Sequence, residues 1–560
     1  MDFTECYGDT MSSVAAAARS GCRRRLRRLI QRGYSVDCRD NRGWKALHEA
    51  AAAGSKGCVQ EILSAVRGSS SGSFAYVNSL THEGESACYL AAQRGHLEVV
   101  RFLLRAHADI NQLTNDLSCP LYEAVNNGHT DVVELLVSEG AEVNRMHTES
   151  CWTCLHQAVY KGHSEIVHIL VNKCNLEAVD DHGITPLFVA AQYGQRECLE
   201  ILVNAGANVN TQAADLATPL LIASQEGHQG CVDFLLDHGA DPNLACSHEW
   251  PQFPIHAAAE FGHIGILRRL IADTDRACDR DEGMVSPLYM AIHSNQSHIV
   301  KMLLREGYSP DAQDCSHTLG IHSPLSLALC HTSEKPYSES VKLLIAAGAS
   351  LSEEDWMYAL ATDETDLLQL ILKHRWIPRP EALTSDHSVP QHDGKTELTL
   401  KELNELLCVA LNQIHFAGCW LPLLLKAGLE PSLLLQPHML EEADSEVLNY
   451  LLEFVNWSTV APLLKHILDH RRVEKTWDPR PCFDSIPCLS HICRLQVRTL
   501  LGPDLLMRTS VVQQLPVPIP LQEFLQFRDI SEASYTHTPP SPILDRIEEY
   551  RNTHQHRHVL

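Results

Sequence analysis

Gly183-Ile-Thr-Pro-Leu-Phe-Val-Ala-Ala-Gln-Tyr-Gly194 is followed, in almost the same wording, by Ala217-Thr-Pro-Leu-Leu-Ile-Ala-Ser-Gln-Glu-Gly227. Pro186 and Pro219 stand 33 residues apart, and Gly140, Lys173, Gly206 and Gly239 close successive units at the same step of 33. Looser copies read Ser286-Pro-Leu-Tyr-Met-Ala-Ile292 and Gly43-Trp-Lys-Ala-Leu-His-Glu-Ala50. Each unit predicts a short helix, a Gly or Gly-His break, a second helix and a closing Gly-Ala-Asp/Asn-x-Asn. Ala124, Ala158, Ala190 and Ala223 fall on the first helix, where small side chains let helices approach. In Cys231-Val-Asp-Phe-Leu-Leu236 the second helix carries apolar residues at helical spacing, and Gly239 suits a left-handed turn at its end. A unit this short cannot bury its apolar face alone, so the copies must stack.

The period and the T-P-L-H-x-A-like core resemble the ankyrin repeat. The resemblance implies an all-α repeat solenoid with short β-hairpin fingers, followed by a small helical C-terminal module. Roughly ten or eleven repeats are expected over residues 9–375. A linker is expected over 376–400, a degenerate ankyrin-like helical region over 401–485, the module over 486–528 and a disordered tail over 529–560.

The chain has 560 residues, beyond the size at which one core stops growing. Stacked repeats escape that limit, because each packs only on its neighbours. The net charge of −25 disfavours a nucleic-acid partner. Met1-Asp-Phe-Thr-Glu-Cys is acidic and lacks an apolar run, so no secretory leader is expected. The 20 cysteines follow no disulfide spacing, which fits a reducing cytoplasmic location, with the nucleus also open. The apolar stretch Leu406–Leu429 is interrupted by Asn412, Gln413, His415 and Pro422, so it reads as buried helices and no membrane partner is expected.

Beyond the repeats, Pro487-Cys-Leu-Ser-His-Ile-Cys-Arg-Leu-Gln-Val-Arg498 predicts an amphipathic helix. Leu489, Ile492, Cys493 and Val497 fall at i, i+3, i+4 and i+8 and form one apolar stripe. Gln514-Leu-Pro-Val-Pro-Ile-Pro-Leu-Gln-Glu-Phe-Leu525 follows, a proline run that turns the chain before a second helix. These segments resemble the SOCS box, and with the repeats they resemble the family of ankyrin repeat and SOCS box proteins. The resemblance implies that Leu489, Ile492, Cys493 and Val497 bind elongin C, which travels with elongin B. It implies that Leu515, Pro516, Val517 and Pro518 recruit cullin-5 with its RING-box partner. The implied function is substrate recognition in an E3 ubiquitin ligase, delivering an unidentified protein for ubiquitination and degradation, with no catalysis and no cofactor on this chain. A plain ankyrin scaffold that sequesters a partner without ubiquitination is the alternative.

Other motifs have bland readings. Cys151-Trp-Thr-Cys154 has redox or zinc spacing, yet it overlays Gly183-Ile-Thr-Pro186 residue for residue, so no metal is expected. His96, His129, His163, His228 and His263 sit in Gly-His slots and are read as braces. Arg23-Arg-Arg-Leu-Arg-Arg28 resembles a nuclear-import cluster, but Leu26, Leu29 and Ile30 at helical spacing favour the wet face of a repeat helix. Trp44, Trp152 and Trp250 stand in or beside fingers, where they either anchor a target or fold onto a neighbouring finger. Asp116, Glu149, Asp180, Asp181 and Asp215 fall on the same fingers and would favour a basic target.

Overall fold

The computed structural model describes residues 11–66, 73–147, 150–245, 252–275, 286–312, 323–330, 338–361, 365–378, 396–484, 487–501 and 517–527. The chain forms two compact units, Met1–Cys278 and Asp279–Leu560.

In the first unit helix pairs repeat along the chain, for example Pro186–Gln192 with Arg196–Asn204 and Pro219–Glu226 with Gln229–Asp237. The Thr-Pro pair starts each first helix for two reasons. Thr185 and Thr218 are N-caps whose hydroxyls accept from the Phe188 and Leu221 amides at 3.3 and 3.1 Å. Pro186 and Pro219 then take the first helical position, where the missing N–H costs nothing. Ala124, Ala158, Ala190 and Ala223 are all fully buried, as the close approach of first helices requires.

The repeats are tied at three levels. At the base, His96, His129, His228 and His263 each reach back to a carbonyl of the preceding repeat: Ala52, Gln93, Gln192 and Gln225, at 2.9–3.1 Å. A glycine must precede the helix break there. Gly194 has φ +66°, and a Cβ on it would lie 2.6 Å from His228 Nδ1. In the middle, His48 and His156 sit in the first turn of their helices. His48 Nδ1 accepts from the Lys45 amide, so its Nε2–H donates to Ser79 O at 2.8 Å; burial pulls this imidazole down to about 4, keeping it neutral. At the top, successive fingers are joined by backbone bonds such as His82 N to Arg42 O, Asn115 N to Glu83 O and Ala214 N to His182 O. The closing asparagines form a further ladder: Asn111, Asn144 and Asn210 accept from the amides of Glu142, Asn175 and Asp241.

The fingers are tight turns, each closed by one backbone bond such as Asp180 N to Ile184 O, with an antiparallel bridge at Leu80 and Ser86. On the Arg23–Gln31 helix Leu26 is buried and Leu29 and Ile30 are half-buried, while Arg23 and Arg27 pair with Glu61.

In the second unit helix pairs continue through Leu400–Asn412 and Ala417–Lys426, and the helices Pro437–Glu442, Ser445–Leu452 and Pro462–Val473 follow. Two-residue strands, Arg375–Trp376 and Thr396–Glu397, pair in parallel and bring together the chain on either side of 379–395, which lies outside the described residues. No single described helix is long and apolar enough to cross a membrane. The most apolar stretch bends by 85° between Leu400–Asn412 and Ile414–Lys426, with Leu406, Leu421 and Leu424 buried.

Two first-turn carboxylates here replace the histidines of the first unit. Glu402 caps its helix through Thr399 and takes the Leu351 amide and the Arg375 guanidinium on its other oxygen. Asp355 caps through Ser352 and takes the Ser326 hydroxyl, and burial pushes its carboxyl up to about 6.

Candidate functional site

The helix Leu489–Leu501 has two faces with opposite fates. One is locked. His491 and Arg494 are each 4% exposed. His491 Nε2 lies 3.1 Å from Val455 O, and its ring sits 4.6 Å from that of Trp457. Burial holds this imidazole below its ordinary range, so it bonds as the neutral ring. The Arg494 guanidinium lies 4.3 Å from the Phe524 ring centroid and 4.2 Å from that of Phe527. Phe527 is fully buried and stacks 4.2 Å from Phe454. The cation is therefore held by aromatic faces, and the stack joins the helix to the end of Ser445–Leu452.

The other face is open. Leu489 is 76% exposed, Cys493 one turn later is exposed, and Ile492 and Val497 are half-buried. The short helix Ile519–Leu525 packs against this helix, with Pro518 as its N-cap and Ile519 69% exposed. Val517 is half-buried and Pro518 exposed, whereas Leu515 and Pro516 lie outside the described residues. The sequence pattern singled out the apolar stripe. It missed His491, Arg494, Phe524 and Phe527, because their partners lie about thirty residues away and no local spacing links them.

Trp44 packs against Ala52, Tyr89 and Leu90, with the Arg42 guanidinium 4.2 Å from its ring. Its indole is thereby committed to the stack. Trp152 is half-buried, donates from Nε1 to Asp180 Oδ2 at 3.2 Å, stacks 6.0 Å from His156 and meets Tyr160 edge-on at 5.6 Å. Asp180 is buried and braces its own finger, since Oδ1 accepts from the His182 and Ile184 amides. Asp116, Asp181 and Asp215 are exposed, and Asp215 also accepts from the Ala217 amide. Glu149 and Trp250 lie outside the described residues.

Two rings extend the Trp152 line. Tyr160 meets Tyr193 of the next repeat edge-on at 4.8 Å, and these are 37% and 47% exposed. Tyr193 directly before Gly194 and Tyr160 two residues before Gly162 close their first helices, and that place was a signal available in the sequence. Among the described residues no three His, Cys, Asp or Glu side chains are grouped to hold a metal, and no disulfide joins Cys151 and Cys154.

An ankyrin-repeat family model matches residues 13–113, 72–147, 121–213, 155–246 and 220–314. A SOCS box model matches 485–526. The chain is 41% identical over 531 residues to ankyrin repeat and SOCS box protein 3 of Homo sapiens, covering 95% of this chain and 97% of that protein. The protein of the same name from Bos taurus is 40% identical over 95% of this chain and 96% of its own length. Ankyrin repeat and SOCS box protein 14 of Mus musculus is 27% identical over 49% of each chain.

Proposed function

Since this chain belongs to the ankyrin repeat and SOCS box family, a family that couples target recognition to cullin-RING ubiquitin ligases, we propose that it is the substrate-recognition subunit of such a ligase built on elongin B, elongin C and cullin-5. The observation that carries this reading is the two-faced C-terminal helix. Its inner face is fixed by His491 and Arg494, and its outer face leaves Leu489 and Cys493 in water. Burying a leucine fully is worth about 1.5–3 kcal/mol, so a rigidly presented, uncovered Leu489 is a ready anchor for a grooved partner. Elongin C is that partner. The segment Leu515, Pro516, Val517 and Pro518 selects cullin-5, and the RING-box protein follows it.

The work of the subunit is positional. The repeats hold a target protein, and the box tethers it near a charged conjugating enzyme. The second encounter becomes intramolecular, and effective concentration supplies the rate gain. This chain supplies no reacting group, and the target leaves ubiquitinated for degradation. The cysteines of the described residues form no disulfide, which fits a cytoplasmic site of action.

Replacing Leu515, Pro516 and Pro518 together with alanine tests the finer assignment. Cullin-5 should be lost from purified complexes while elongin C stays. Cullin-5 recovered at the wild-type level would contradict it.

A further inference from the structure

Where a left-handed glycine breaks the repeat among the described residues, the residue just before it stands at the C-terminal end of the first helix. In three consecutive repeats it is Tyr193 before Gly194, Glu226 before Gly227 and Phe261 before Gly262, with glycine φ of +66°, +83° and +80°. Their helices, Pro186–Gln192, Pro219–Glu226 and Pro254–Glu260, pack side by side in that order. Tyr193 is 47% and Phe261 49% exposed, and the Glu226 carboxylate between them is exposed and pairs with no cation among the described residues. The same position is Arg94, Asn127 and Lys161 in the three repeats before, so the ring–carboxylate–ring pattern begins at Tyr193. Lys161 lies 5.5 Å from the Tyr160 ring, whose edge contact carries the aromatic line on to Tyr193.

We infer that Tyr193, Glu226 and Phe261 form a docking rail for an extended target segment with a central arginine or lysine flanked by apolar residues. The spacing sets the register. Packed helices lie about 8–10 Å apart, and a chain in the extended polyproline II conformation advances about 3.1 Å per residue and returns every third side chain to the same face. One repeat therefore corresponds to about three residues of the bound segment. The basic residue meets Glu226, and the residues about three positions before and after it meet the two rings. Water-exposed rings around a charge favour a cation with an aliphatic stem, which covers ring surface as it reaches the carboxylate. The proposal rests on the repeats being the target-binding part, and it names the kind of segment they take.

The test uses the full-length chain and labelled synthetic peptides, with binding followed by fluorescence anisotropy. The matched probe has a leucine three residues on each side of an arginine, separated by serine and glycine. One control moves the arginine by one residue, and another replaces it with glutamate. The matched probe should bind best. Tyr193→Ala or Phe261→Ala should each weaken it about five- to thirtyfold, and Glu226→Gln about two- to fivefold. Glu226→Lys should reverse the preference in favour of the glutamate probe. All three side chains changed are on the surface, so melting temperatures should stay near wild type. Equal binding of matched and shifted probes, or an unchanged preference in Glu226→Lys, would overturn the rail. Elongin C capture is read separately: its loss in wild type would remove the ligase reading and leave a peptide preference standing.

Discussion

The buried pair Arg375–Glu402 joins three segments of the second unit, and breaking it should show how much of that unit depends on it. The two side chains are 5% and 4% exposed, and Arg375 Nη2 lies 2.5 Å from Glu402 Oε1. The same oxygen accepts from the Leu351 amide at 2.9 Å, and Oε2 accepts from the Thr399 amide and hydroxyl. Arg375 Nη1 donates to Gly348 O and Thr396 Oγ1. Glu402→Gln keeps the shape but turns one acceptor into a donor and leaves the guanidinium buried without a counter-charge. Breaking one side of such a pair costs about 3–5 kcal/mol. Arg375→Met strands the carboxylate instead and should cost a similar amount. The double variant holds no buried charge, so its loss should fall about 2–3 kcal/mol short of the sum. Urea unfolding followed by tryptophan fluorescence reads this directly, because Trp356 and Trp420 are both buried in the same unit. Glu61→Gln is the control. Its arginine partners are about half exposed, and its effect should stay within about 1 kcal/mol. Additive losses, or a Glu402→Gln effect no larger than the control, would refute the claim that this pair holds the segments together.

Asp355 makes the opposite case, a buried carboxylate with hydroxyl and amide partners. Its folded pKa of about 6 lies above the unfolded value of about 4, so its contribution to stability is full below pH 4 and is lost as pH rises through 6. Asp355→Asn should therefore flatten the decline in stability between about pH 4 and 6, a slope of up to about 1.4 kcal/mol per pH unit; an unchanged slope would contradict this. Gly206 and Gly194 separate backbone strain from crowding: a Cβ at Gly206 meets nothing within 4 Å, whereas one at Gly194 meets His228. Gly206→Ala should cost about 1–2 kcal/mol, and Gly194→Ala about 1 kcal/mol more, because His228 is pushed off Gln192 O. Equal melting-temperature shifts would refute the crowding argument.

The repeat fold was legible because its signals are local. Thr185-Pro186, the buried alanines and the Gly-His breaks each fix a turn within one unit or a contact with the adjacent one, and the period multiplies them. The open stripe of the C-terminal helix was legible for the same reason, since Leu489 and Cys493 are one turn apart. What the sequence hid is what depends on partners far along the chain. Arg494 reads as an ordinary charged residue until Phe524 and Phe527 close over it. Asp180 reads as an exposed finger acid until its two oxygens are seen committed to its own turn and to Trp152. Ser352-Glu-Glu-Asp355 and Thr399-Leu-Lys-Glu402 do carry a visible helix-capping signature. The pairing of Glu402 with Arg375 does not, because the segment between them has no regular spacing.

The central claim is that the open face of the Leu489–Leu501 helix docks on elongin C. The most direct measurement is recovery of elongin C with purified full-length protein carrying Leu489→Ala and Cys493→Ala, compared with wild type. Leu489→Ala alone should weaken the association about ten- to a hundredfold, and the double variant should lose it while the melting transition of the repeats is unchanged. Elongin C recovered in full with the double variant would contradict the account and leave a scaffold that holds partners without a ligase.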